Sequence, residues 1–303
     1  MSPERGGERA RGAPHPDGPR RGETTRHPYG SYRRRIRVVN TAAHEVVGGL
    51  EDDFHRFVVV VRHDSRRVTD LEARPERWPW TTCPDAGRQL DALVGMELSP
   101  RCLAVGDVTN PRLQCTHQFD LAGLAIAHAT RALEVRQYDV EIPYGAQSGG
   151  RRDVRLWRDG ELVLAWTLDG HRCAAPAPYS DAPWRGGFLR WADQSLPFDD
   201  AEAAIVLRRS CDIGLGRGAD LESYPRASQL AIASTGICYT FQPETAAVSF
   251  RQIGTIRDWD GRVDEMLADG PRARSSTDPD AAPGADRSAH PSTDPSADPS
   301  ARA

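Results

Sequence analysis

Apolar and polar residues alternate over residues 32–40 (YRRRIRVVN), the period of a strand with one buried face. Residues 54–62 (FHRFVVVVR) are almost wholly apolar and β-branched, which predicts a central strand. A polar turn at His63-Asp64-Ser65 leads into residues 67–73, where Val68, Asp70 and Glu72 alternate with Thr69, Leu71 and Ala73. Strand, turn and strand predict an antiparallel hairpin. Beyond the turn-rich segment WPWTTCP the period changes. Ala86, Leu90, Leu93 and Val94 share one helical face, Pro84 suits the first helical position, and Cys83 falls at the N-cap. A second helix is expected from Thr116, with Leu121, Leu124, Ala125 and His128 on one side and Cys115 and His117 at its start.

The order then repeats loosely. Residues 137–143 are strand-like, and residues 154–158 and 162–168 flank Asp159-Gly160, a strong hairpin signal. A helix is expected over residues 199–209 and a last one from Glu244 to about Ile256. Hairpins followed by helices, without regular strand–helix alternation, predict an α+β fold built on antiparallel sheet. The expected body spans residues 32–268, with a loose echo between its halves, 32–135 and 136–268.

Composition sets the limits of that body. Residues 1–31 are rich in Arg, Gly and Pro, and residues 269–303 repeat Ser-Thr-Asp-Pro and Ser-Ala-Asp-Pro units. Neither segment carries enough apolar surface to offset the entropy of ordering, so both are expected to be disordered tails. All basic residues are Arg, which excludes Schiff-base and lysine-nucleophile chemistry. The net charge of −4 gives no whole-molecule attraction to nucleic acid. With neither an apolar leader nor a run approaching the roughly 18 apolar residues of a membrane span, a cytoplasmic location is expected. There the six cysteines would be reduced.

Candidate chemistry crowds into the first half. Phosphate-loop, nucleophile-elbow and HExxH motifs are absent. Cys83 at a helix N-terminus would have its thiolate stabilised by the helix dipole; the alternative is a buried cap. Cys115 and His117 lie two residues apart and offer sulfur and nitrogen to one metal ion, zinc or iron. Cys83 would be the third ligand and His55 or His63 the fourth. Without a metal, Cys83 or Cys115 with His117 could form a nucleophile–base pair oriented by Asp120 or Asp53. Buried thiols and a hydrogen-bonded histidine remain the structural alternative. In Glu51-Asp52-Asp53-Phe54-His55, Glu51 and Asp52 read as a solvated turn. Asp53 and His55 share one face of an extended chain and could pair for acid–base work. Trp78 and Trp80 beside Cys83 could wall an apolar pocket.

The segments LEDDFHRFVVVVRHD, RWPWTTCPDAGRQLDALVGMEL, CTHQFDLAGLAIAHA and GICYTFQP resemble those of the bacterial domain-of-unknown-function family 2889. The resemblance runs over roughly residues 32–266 and implies a bacterial cytoplasmic protein. It implies no activity and assigns no residue a role. Two function classes are therefore expected to compete. One is a small-molecule enzyme with a Cys/His site, catalytic residues Cys83, His117, Asp53 and His55, and metal ligands Cys83, Cys115, His117 and His55. The other is a non-catalytic accessory or interaction module.

Overall fold

In the computed structural model, which describes residues 29–145, 150–170 and 172–272, strand β1 (Ser31–Ala42) runs through the middle of an eight-stranded sheet. On one side follow β2 (Glu45–Asp52), β3 (Arg56–His63) and β4 (Val68–Arg77). On the other follow β5 (Val135–Pro143), β6 (Arg151–Arg158), β7 (Glu161–Asp169) and β8 (Arg172–Ala175). The order is β4-β3-β2-β1-β5-β6-β7-β8, and every neighbouring pair is antiparallel. Two meanders thus run outward from the β1–β5 pair, as expected of antiparallel α+β architecture.

Five α-helices accompany the described sheet: α1 (Val105–Val108), α2 (Thr116–His128), α3 (Phe188–Ser195), α4 (Phe198–Gly214) and α5 (Pro243–Val248). Helix α2 packs on β1, β2 and β3, while α4 packs on β1 and β5 to β7. Tyr32, Arg34, Ile36 and Val38 of β1 and Phe57, Val59 and Val61 of β3 are all buried, in the period of two expected of one strand face. The opposite face is covered near β2 and β3 by the chain around residues 256–271. Leu267 N donates to Glu51 Oε2 at 2.9 Å, and Arg35 donates to the Met266 carbonyl at 3.3 Å. Val58 and Val60, on the second face of β3, are consequently buried too.

Several elements depart from the sequence expectation. Strand β2 is not among the expected elements, because Gly48 and Gly49 interrupt its apolar pattern. Both glycines serve close packing: a Cβ at Gly48 would lie 2.9 Å from Leu121 Cδ1, and one at Gly49 2.9 Å from Pro271 Cδ. The segment after Cys83 is a run of 3-10 turns, Pro84–Leu93, which buries the anticipated Ala86, Leu90 and Leu93. Helix α3 has no counterpart among the expected elements. The last helix stops at Val248, where the buried Ser249 hydroxyl meets Thr82 Oγ1 at 2.8 Å and the chain turns extended.

The described residues contain no helix long and apolar enough to cross a membrane. The expected disordered tails fall outside the described residues over 1–28 and 273–303. At the body's margins, Ser31 already begins β1 and Asp269 is paired with Arg56.

Candidate functional site: a buried Asp–His–His cluster

Strand β2 ends on Glu51 and Asp52, and the chain reverses through Asp53-Phe54-His55 before β3 begins. Asp52 organises the reversal. Its Oδ1 accepts from the Phe54 and His55 backbone N–H groups, both at 2.8 Å, and lies 3.0 Å from His55 Nδ1. A short carboxylate that satisfies backbone donors two and three residues on is a strong turn former. Its Oδ2 accepts from Tyr32 Oη at 2.8 Å and from Arg34 Nε and Nη2 at 3.1 and 2.6 Å. The backbone of the turn is also held. Arg77 donates to the carbonyls of Asp52, Asp53 and His55, and Trp259 Nε1 donates to Asp52 O at 3.1 Å.

The acidic segment is therefore an interior feature. Glu51, Asp52 and Asp53 are at most 2% exposed, against the solvated turn expected for the first two. The expected Asp53–His55 pair does not form, because the residues sit in a turn where strand alternation does not apply. His55 pairs with Asp52. Asp53 accepts from Arg217 Nη1 at 2.6 Å, and burial pushes its carboxyl up to about 8 against the pull of that guanidinium.

His117 arrives from the first turn of α2. Its ring stacks on His55 with centroids 3.7 Å apart and planes 28° from parallel, and Phe57 backs both rings. His117 Nε2 is buried, has no hydrogen-bond partner among the described residues, and lies 4.0 Å from Asp52 Oδ2. Burial lowers the pKa of both imidazoles. His55 is partly restored by Asp52, while His117 is driven well below the usual range, with His55 and Arg34 adding to the effect. For Asp52 burial acts in the opposite sense, but His55 and Arg34 outweigh it and hold the carboxyl well below its usual range. An ionised carboxylate thus faces two neutral rings.

Asp52, His55 and His117 each offer one ligand atom, and these atoms lie within 4.8 Å of one another. No other group of three or more Cys, His, Asp or Glu residues among the described residues does so. The thiols proposed as ligands stay outside the group. Cys83 precedes 3-10 turns rather than an α-helix, makes no cap, and approaches Thr240 Oγ1 at 3.6 Å. Burial raises its pKa to about 12, so the expected dipole-stabilised thiolate is not formed. Cys115 is the N-cap residue of α2 without a side-chain cap bond, and burial likewise raises its thiol far above the usual range. His63 lies at the opposite end of β3, accepting from Ser65 N at 3.1 Å and meeting His44 edge-on. Trp80 packs against Phe241 beneath Arg251 rather than walling a pocket.

Beside His117 is a small cavity of about 20 Å³, room for roughly one water molecule. Its polar walls are Arg34, His117, Asp120 and Arg209; Ile36, Leu50, Leu124, Ile205 and Val206 supply much of the apolar remainder. Asp120, one turn after His117, is paired with Arg209 of α4 at 3.0 Å. Burial raises the Asp120 carboxyl above its usual pKa, against the pull of Arg209. Tyr32, Arg34, Asp52 and Arg209 were not singled out in the sequence. Asp52 alone left a trace there, as one of three successive carboxylates before a histidine.

Residues 37–131 match the model of a family described as "Protein of unknown function (DUF2889)". The match takes in Asp52, His55, His117 and Asp120, while Tyr32, Arg34 and Arg209 lie beyond it. No curated protein matches the chain.

Proposed function

We propose that this chain, which belongs over residues 37–131 to the family of proteins of unknown function 2889, is a small-molecule enzyme with a divalent metal ion held by Asp52, His55 and His117. The observation that carries this reading is the buried, unpartnered His117 Nε2 facing an ionised carboxylate and a second neutral imidazole. An orphaned buried acceptor or donor costs about 1–3 kcal/mol, so a native protein that keeps one calls for a partner. Two histidines and one carboxylate suit zinc and non-haem iron, and leave positions open for water or substrate. The remaining bonds of Asp52, to Tyr32, Arg34 and the turn backbone, are of the kind that orients a ligating carboxylate. The ion would replace the Asp52–His55 hydrogen bond. Because both rings are neutral, no imidazolium proton stands in the way. Such an ion polarises an oxygen of a bound molecule or activates a water. A cytoplasmic setting, with the six thiols reduced, accords with their uniform lack of disulfide partners.

Chelator-treated full-length protein titrated with Zn²⁺ or Co²⁺ tests this. One equivalent should bind, and His117→Ala should lose at least tenfold in affinity, whereas Cys83→Ser and Cys115→Ser should not. Mg²⁺ and Ca²⁺ should bind weakly, as hard ions prefer an all-oxygen shell. Chelator-reversible hydrolysis of a small activated ester, lost in His117→Ala, would establish the enzymatic part. Loss of binding in His44→Ala instead would move the ion to the His44–His63 pair and sink the assignment.

A second reading, an interaction module, is favoured by Val248, Phe250 and Ile253, which are 62%, 47% and 51% exposed within six residues. Large apolar side chains so placed mark partner surfaces when they are contiguous. Serine at these three positions should abolish concentration-dependent association in sedimentation if this reading is right; unchanged sedimentation removes it.

A further inference from the structure

Three thiols that take no part in the Asp52 cluster, Cys83, Cys115 and Cys238, gather near the start of α2. Cys83 and Cys238 both act electrostatically on Cys115, and Cys238 also acts on Cys83. All three are free. They do not form a group that one ion could bridge, so the chemistry they share is that of thiols.

The backbone sets two of the three side by side. Tyr239 N donates to the Gln114 carbonyl at 2.9 Å, so Cys238, just before the donor, and Cys115, just after the acceptor, flank one hydrogen bond. Standard peptide dimensions then hold their Cα atoms within about 6.5 Å of each other, inside the span of roughly 4.4–6.8 Å that disulfides bridge. Two more bonds pin the same segments. Gln242 Nε2 donates to Arg112 O at 2.8 Å, and Arg112 Nη1 donates to Thr235 O at 3.3 Å. Cys83 reaches this region through its side chain, with Sγ 3.6 Å from Thr240 Oγ1. The thiols also differ in access. Cys83 and Cys115 are buried, whereas Cys238 is half-buried beside Ile237, itself 39% exposed. An oxidant arriving from solvent meets Cys238 first.

From this juxtaposition we infer that Cys238 and Cys115 close as a reversible disulfide when the protein meets a hydroperoxide. The Cys238 sulfur attacks one peroxide oxygen, the O–O bond breaks, and Cys238 sulfenic acid and water result. The Cys115 sulfur then attacks the Cys238 sulfur. The S–S bond forms as the S–O bond breaks, and the thiol proton leaves with the hydroxyl as water. Two thiols thus lose two electrons and two protons, and hydrogen peroxide becomes two waters. Exchange with a small-molecule thiol reopens the bond. The disulfide requires no metal ion and forms or fails independently of the Asp52 cluster.

Peptide mapping is the test. Reduced full-length protein is treated with hydrogen peroxide at graded stoichiometry, remaining thiols are blocked with N-ethylmaleimide, and tryptic peptides are separated without reductant. Each thiol falls in its own tryptic peptide: Cys83 in 78–88, Cys115 in 113–131 and Cys238 in 227–251. Peptides 113–131 and 227–251 joined in monomeric protein, and parted by dithiothreitol, support the disulfide. Cys83→Ser should keep the cross-link. Cys115→Ser should remove it and raise dimedone-trapped sulfenic acid at Cys238 at least tenfold, because the resolving thiol is gone. Dibromobimane, which bridges neighbouring thiols, should join the same two peptides in the reduced parent, a reading that needs no substitution. Oxidation of Cys238 to sulfinic acid without a cross-link overturns the assignment. So does a Cys83–Cys238 bond in its place, a cross-link found only between two molecules, or a parent protein whose two peptides dibromobimane leaves apart.

Discussion

Asp52 shows how much a single residue can decide. Six donors converge on its two oxygens, joining β1, the β2–β3 turn and the imidazole of His55. Removing it strands the Arg34 guanidinium in the interior, which typically costs about 3–5 kcal/mol. Tyr32→Phe removes one hydrogen bond and should cost about 0.5–1.5 kcal/mol. Urea unfolding of Asp52→Ala and Tyr32→Phe should therefore separate clearly, and equal midpoints would show that Asp52 is not the hub. The sequence signalled that something lay in Glu51-Asp52-Asp53-Phe54-His55 but not its wiring. Strand alternation pointed to Asp53 as the partner of His55. The local turn, invisible to periodicity, gave that role to Asp52 and sent Asp53 to Arg217, more than 150 residues on.

At the level of elements, α2 delivers His117 because it can lie unusually close to its neighbours. Gly123 faces the Cys102 carbonyl so closely that a Cβ there would sit 2.1 Å from the oxygen. Gly48 of β2 accepts Leu121 from the same helix. Gly123→Ala raises intrinsic helix propensity by about 1 kcal/mol, yet the backbone collision should dominate and destabilise the protein by about 1–3 kcal/mol. Thermal unfolding checks the sign; a stabilised Gly123→Ala protein would mean that the Cys102 turn yields freely. The helix was legible from its apolar face, as were β1, β3, β4 and the β6–β7 hairpin. Strand β2 was not, because glycines kept for close packing look the same in sequence as glycines that break a strand. The Cys83 segment misled in another way. Its apolar spacing fits an α-helix, but Pro84–Leu93 forms 3-10 turns lying against β4, where a Cβ at Gly87 would meet Ala73 at 3.0 Å. The dipole that was to activate Cys83 went with the helix.

Across the whole molecule the two meanders share a plan but not a site. Tyr32 of β1 donates to a buried carboxylate on one side of the β1–β5 pair, and Tyr138 of β5 donates to Glu202 of α4 at 2.6 Å on the other. Glu202 is 2% exposed and also holds Arg131 at 2.9 Å, while Arg136 reaches Asp199 at 3.3 Å. This second cluster has the arginines and carboxylates of the first. Each carboxylate is answered by a guanidinium or a hydroxyl, and no imidazole lies among these partners. Such a cluster binds the helix to the sheet, and it lacks the grouped carboxylate and imidazole atoms that Asp52, His55 and His117 offer one ion. Glu202→Ala should accordingly lower stability by about 2–4 kcal/mol, through the unpaired Arg131 and Tyr138. At temperatures where it remains folded, its Zn²⁺ affinity should equal that of the parent. His117→Ala should abolish metal binding, and its cost in stability, the cavity left beside the His55 and Phe57 rings partly offset by removal of an orphaned nitrogen, should be the smaller of the two. Measuring both quantities on both proteins tests whether stability and ligand binding are divided between the two halves of the sheet. A Glu202→Ala protein that folds but no longer binds zinc would show that the halves act as one site.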